Sequence, residues 1–283
     1  MTTLSGVIET FILGLLGITP DPAQIASAQA AIRIYRDDAT MGVAWTGLDK
    51  KVWCSRIEAL LADPTPINQN PTGYCMPAAC LYVLFKRAPA AMANFCVGLA
   101  RDGQGSIGNL TITMTKELRD YGVPAYAAAH EEGIDPVDYI LMLAMQNQMS
   151  VTNITAPDDY ASRPGFLVRN VTGLLSATNL FSAITSKDNP AIADLQNLDP
   201  KTDVLMFGDV NFFSTSPNLT GHVVVLVPPI VKDGGIVTFH FWSWGVFKGN
   251  QTLDIEGNAY VKQVSEAAFS ANISTAVFAT AQF

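Results

Sequence analysis

Gln69, Gly73 and Cys75 fall within one stretch, Gln69-Asn70-Pro71-Thr72-Gly73-Tyr74-Cys75-Met76-Pro77-Ala78-Ala79-Cys80, and an apolar, helix-forming run begins at Cys75. That arrangement suits a thiolate nucleophile. A cysteine in the first turn of a helix feels the positive end of the macrodipole and nearby unpaired N–H groups, both of which lower its thiol pKa. Gln69, six positions upstream, is placed to give an amide hydrogen to a developing oxyanion, and the Cys75 backbone N–H would be the second donor. Gly73 leaves room for a substrate backbone to approach. Pro77 is tolerated in the first helical turn, while Lys86 and Arg87 complement the opposite end before Pro89 stops the helix. Taken singly these residues have plainer readings: Cys75 as a small buried hydrophobe, Gln69 as a loop amide capping the helix.

A nucleophilic thiol needs a base, and the chain has three histidines. His222 opens the run Gly221-His222-Val223-Val224-Val225-Leu226-Val227, which reads as a buried strand bounded by Gly221 and Pro228 with the imidazole at its mouth. A Lys-Asp-Gly-Gly turn at residues 232–235 leads into a second strand over residues 236–241, followed by Trp242-Ser243-Trp244-Gly245. The two runs predict a hairpin. A histidine at a strand end, considered alone, is more simply a satisfied structural imidazole.

Together these residues resemble the papain-like cysteine peptidases. The family pattern has a glutamine six before the cysteine, a glycine two before it, a histidine opening a later strand, and an Asn-Ser-Trp-Gly segment on the next strand. Gln69, Gly73, Cys75, His222 and Ser243-Trp244-Gly245 fall on that pattern in order. The departure is Trp242, which takes the place of the asparagine. The third group is therefore open: Ser243, or His240 two residues from Trp242, could orient His222, or the pair could act as a dyad. The resemblance implies an α+β fold in which a helical lobe carrying Cys75 precedes an antiparallel β lobe carrying His222, with the site in the cleft between them. It implies a thiol hydrolase that cleaves a peptide, isopeptide or other amide bond through an acyl-enzyme, with Trp244 shielding the histidine's partner. A transglutaminase-like acyl transferase or deamidase and a non-catalytic binding module on the same scaffold are the alternatives. The chain also looks similar to bacterial effector or toxin members of that superfamily, which implies delivery from the cell and a delivery or immunity partner protein; otherwise the expectation is a cytoplasmic protein.

Composition limits the remaining choices. At 283 residues the chain can bury a sizeable core, as one large domain or two lobes sharing an interface. Residues 1–150 read as mainly helical and 151–283 as mainly β, and the resemblance implies that they form a single papain-like unit. A hydrophobic fraction of 49% with 15% charged residues excludes a disordered chain. A net charge of −8 without a lysine or arginine cluster argues against a nucleic-acid surface. The apolar run at residues 7–18 is too short to span a bilayer, contains Glu9 and has no basic residue before it, so neither a signal peptide nor a membrane span is expected. It reads as a core or docking helix. Cys54, Cys80 and Cys96 lack Cys-x-x-Cys spacing and read as core thiols, with no metal and no cofactor expected. Six Asn-x-Ser/Thr sequons read as coincidence in an Asn- and Thr-rich chain.

Further helices are expected over residues 23–35, 91–101 and 114–121, and from Asp135-Pro136 to Gln148. Strands are expected at 204–207, 223–227, 236–241, 259–264 and 276–279. The apolar patch at 174–184 reads as one more helix. Gly103-Gln104-Gly105-Ser106-Ile107-Gly108 matches a dinucleotide-binding spacing, but it follows a helical run instead of a strand and reads as a flexible turn.

Overall fold

The computed structural model describes residues 22–69, 73–130, 134–149, 168–213, 221–243, 252–253 and 260–282, so the apolar run at 7–18 and the Trp244-Gly245 pair lie outside it. Helices dominate before residue 150 and an antiparallel sheet dominates after it, which makes the protein a mixed α+β fold.

Capping chemistry explains where the helices begin. Asp49 accepts the backbone N–H groups of Lys51 and Val52 and starts the Lys50–Ala62 helix, an element absent from the sequence-based expectations. Thr115 caps the short Lys116–Asp120 helix through the Leu118 N–H. The expected helix over residues 114–121 is thus shorter, and a second one, Val123–His130, follows after Gly122 turns the chain at φ +67°. Pro89 opens the Pro89–Asp102 helix and Gly103, at φ +71°, closes it.

The glycine-rich run is not a loose turn. Gln104–Ile107 (β1) pairs antiparallel with Leu110–Thr113 (β2), and Gly105 lies so close to Phe95 that an added Cβ would sit 2.5 Å from the ring. The glycines there serve hairpin geometry and close helix packing.

The large sheet has the order β3-β9-β4-β5-β6-β8-β7, all neighbours antiparallel. Its strands are Phe181–Asp188 (β3), Thr202–Gly208 (β4), His222–Asp233 (β5), Ile236–Trp242 (β6), the two-residue edge Thr252–Leu253 (β7), Tyr260–Ser265 (β8) and Ile273–Ala281 (β9). The expected helix at 174–184 is a correction: the Val168–Ala177 helix ends at that patch, Asn179 turns the chain at φ +54°, and β3 begins. A second correction concerns β5, which does not stop at Pro228. The strand runs on to Asp233, and only its pairing with β6 is interrupted between Val227 and Val231, where Pro228 and Pro229 have no N–H to donate. Gly234 and Gly235, both at positive φ, close the β5–β6 hairpin.

Both faces of the sheet centre are covered, so its strands read as continuous apolar runs. Val223, Val225, Val227, Trp242, Leu205 and Val277 pack against the helices. On the other face Val224, Leu226, Met206, Phe239 and Phe241 meet Phe212, Phe213 and Phe269. The Cys75–Arg87 helix lies in the first cluster, with every residue from Met76 to Phe85 buried. An apolar surface on all sides marks it as the central helix. Lys86 and Arg87 at its end do more than offset the dipole. Asp203 of β4, itself buried, takes Lys86 Nζ at 2.8 Å and Arg87 Nε at 2.5 Å, which ties the helix end to the sheet.

Candidate active site

Cys75 is the first residue of its helix, and Tyr74 before it supplies no side-chain cap. Cys75 is half-buried as a residue, and its sulfur takes backbone N–H groups from Val223, Met76 and Cys75 itself. Val223 follows His222 directly, so the opening of β5 and the opening of the helix meet at the thiol.

His222 is only 3% exposed, and its Nε2 lies 3.1 Å from Ser243 Oγ. Phe213 packs beside the imidazole, with ring centroids 6.2 Å apart. Of the two groups left open by the sequence, Ser243 therefore meets His222. His240 does not: it stands mid-sheet between Val227 and Val261, while β5 begins five residues before Val227. Trp242 projects onto the opposite face, where it stacks on Tyr82 of the Cys75 helix at 4.2 Å and donates its Nε1–H to the Thr65 carbonyl. The residue at the expected asparagine position thus binds helix to sheet, and the contact to the histidine falls to its neighbour. Trp244 and Gly245 lie outside the described residues.

The electrostatics differ from the sequence-based expectation of a low thiol pKa. Burial pushes the Cys75 thiol up to about 11, against the smaller opposing effect of the N–H groups around it. Burial likewise lowers His222 to about 4. The two shifts run in opposite directions and leave both groups neutral: a thiol at the head of the helix, and an imidazole held beside Phe213 and Ser243. The helix dipole is outweighed because one or two partial charges cannot replace the hydration that a thiolate loses.

Gln69 is 3% exposed and sits in the segment leading to the helix. That segment is held by two residues the sequence reading passed over. Asp138, fully buried, receives Arg56 through Nε at 2.8 Å and Nη2 at 2.7 Å, and also accepts the Asn68 N–H at 3.0 Å. Arg56 Nη2 also donates to the Pro66 carbonyl at 2.8 Å, and its Nε lies 3.8 Å from Asp135. Next to Asp138, Tyr139 packs edge-on against Tyr74 at 5.5 Å. An acidic residue inside an otherwise apolar helix, as in Pro136-Val137-Asp138-Tyr139-Ile140-Leu141, was the available signal.

Cys54, Cys80 and Cys96 are free and buried, which leaves Cys75 as the partly accessible one of the four. Among the described residues no group of three His, Cys, Asp or Glu side chains could hold a metal ion, and no helix is long and apolar enough to cross a membrane. No family model matches the chain, and no curated protein matches it.

Proposed function

We propose that the protein is a thiol hydrolase of papain-like type that attacks an amide, isopeptide or related acyl carbon. The supporting observation is the convergence of the Cys75 sulfur with the first residues of β5, where His222 is held through Nε2 by Ser243. Cys75 begins the cycle as a neutral thiol. As its sulfur bonds to the carbonyl carbon, His222 accepts the thiol proton at Nδ1, and Ser243 keeps the ring oriented. Gln69 and the Cys75 N–H receive the oxyanion, the imidazolium returns its proton to the leaving amine, and water then releases the acyl group. Ser243 cannot offset the imidazolium charge as a carboxylate would, so the proton resides on His222 only transiently. Substrate class follows the resemblance: a protein or peptide amide, encountered as a delivered effector with a delivery or immunity partner.

The test is acylation of the protein by p-nitrophenyl acetate, followed by p-nitrophenolate release and by mass spectrometry at Cys75. Cys75→Ala and His222→Ala are each expected to lower the rate by roughly two to three orders of magnitude. An unchanged rate in either variant refutes the assignment. Added primary amine captured by the acyl-enzyme identifies a transferase, and loss to water a hydrolase.

A second reading, a non-catalytic module on the same scaffold, draws on the raised thiol and lowered imidazole. It requires Cys75 to form no acyl-enzyme with p-nitrophenyl acetate, whereas slow alkylation by iodoacetamide is common to both readings.

A further inference from the structure

A fully buried carboxylate and a guanidinium are costly to desolvate, and apolar residues of similar size are often as good for stability. Their placement here addresses a different need. Asp138 and Arg56 between them hold the Asn68 N–H and the Pro66 carbonyl, the backbone groups immediately before Gln69. Through Tyr139 and Tyr74, the same turn of the Pro136–Met149 helix also braces the residue before Cys75. Both ends of the span from Gln69 to Cys75 are thus referred to one point in the fold.

We infer that the Arg56–Asp138 pair is a positioning device for the oxyanion site, setting Gln69 relative to the Cys75 sulfur. The inference rests on the function proposed above. Arg56 and Asp138 are positioning residues, since neither meets the reacting atoms. A fixed amide dipole helps only where it is aimed, and a displacement of about 1 Å can cost on the order of 100-fold in rate. Lysine cannot replace Arg56, because a point charge cannot bridge a carboxylate and a carbonyl with the guanidinium's fork.

The test separates reactions that form an oxyanion from one that does not. Acylation by p-nitrophenyl acetate passes through a tetrahedral oxyanion, whereas alkylation by iodoacetamide displaces iodide from carbon and forms none. Both rates are measured at Cys75 by mass spectrometry on the full chain. Asp138→Asn and Arg56→Lys are expected to slow acylation about 10- to 100-fold, near the effect of Gln69→Ala, and to leave alkylation within about twofold. The double variant Arg56→Met with Asp138→Leu removes both charges, so it guards against loss of fold, and it should show the same split between the two rates. Acylation at the wild-type rate in the folded double variant overturns the inference. Parallel changes in both rates also overturn it, because they indicate general loosening around the thiol. Absence of acylation in the wild-type protein refutes the hydrolase reading itself, whatever the variants do.

Discussion

Replacing His222 by glutamine should remove a defined part of the protein's sensitivity to acid. In the folded chain the imidazole is held near pKa 4 by burial, against an ordinary value of 6.5. Between those pH values the unfolded chain binds a proton at this position and the folded chain does not. Stability therefore falls as pH drops from about 6.5 to about 4, and the effect levels off below that. At 1.36 kcal/mol per unit the whole shift corresponds to about 3 kcal/mol, of which about 2 kcal/mol is already lost at pH 5. With His222 only 3% exposed, little solvent screening reduces the figure. Urea unfolding of wild type and His222→Gln, followed by circular dichroism at pH 8, 6, 5 and 4, gives the test. Other titrating groups contribute equally to both proteins, so the difference between the two curves isolates this residue. The wild type should lose about 2 kcal/mol relative to the variant between pH 8 and pH 5. Parallel curves would show that the imidazole is already hydrated or charge-compensated in the folded state, and the description of His222 as a buried neutral ring would be wrong.

The thiol offers a complementary measurement. Thiolate absorbance at 240 nm, taken as the difference between wild type and Cys75→Ser, should rise with a midpoint near pH 11, and a midpoint below about pH 6 would instead identify a preformed thiolate–imidazolium pair. At the far end of the same helix, Asp203→Asn leaves Lys86 and Arg87 without their shared carboxylate in a buried setting. It should destabilise the protein by about 3 kcal/mol in urea unfolding, whereas a loss under about 1 kcal/mol would show that the two cations reach solvent.

Much of this architecture was legible because its signals are local. The cysteine helix announces itself through an unbroken apolar run, Pro77 and Pro89, and the β5–β6 hairpin through β-branched residues on either side of Gly234-Gly235. The grouping of Gln69, Cys75, His222 and Ser243 rests on a pattern, since each alone has a plain structural explanation; the contact the fold shows within it is that of His222 with Ser243. Long-range effects were not legible. Edge strand β3, Phe181-Ser182-Ala183-Ile184-Thr185-Ser186-Lys187-Asp188, is too polar to declare itself and is a strand because β9 pairs with it. The role of Asp138 depends on Arg56, eighty-two positions earlier. The thiol's high pKa likewise depends on how deeply later strands enclose the helix start, whereas the macrodipole that argued for a low one belongs to the helix alone.

The strand order carries a consequence for biosynthesis. β9, made after every other strand, inserts between β3 and β4 in the interior of the sheet. A nascent chain that has not yet released residues 273–281 can form the Cys75 helix, but it cannot complete the sheet whose strand β4 carries Asp203 and whose strand β5 opens at His222. The order of synthesis thereby delays closure of the sheet until residues 273–281 are free to pair, and a chain cut short before Ile273 leaves β3 without the strand it pairs with.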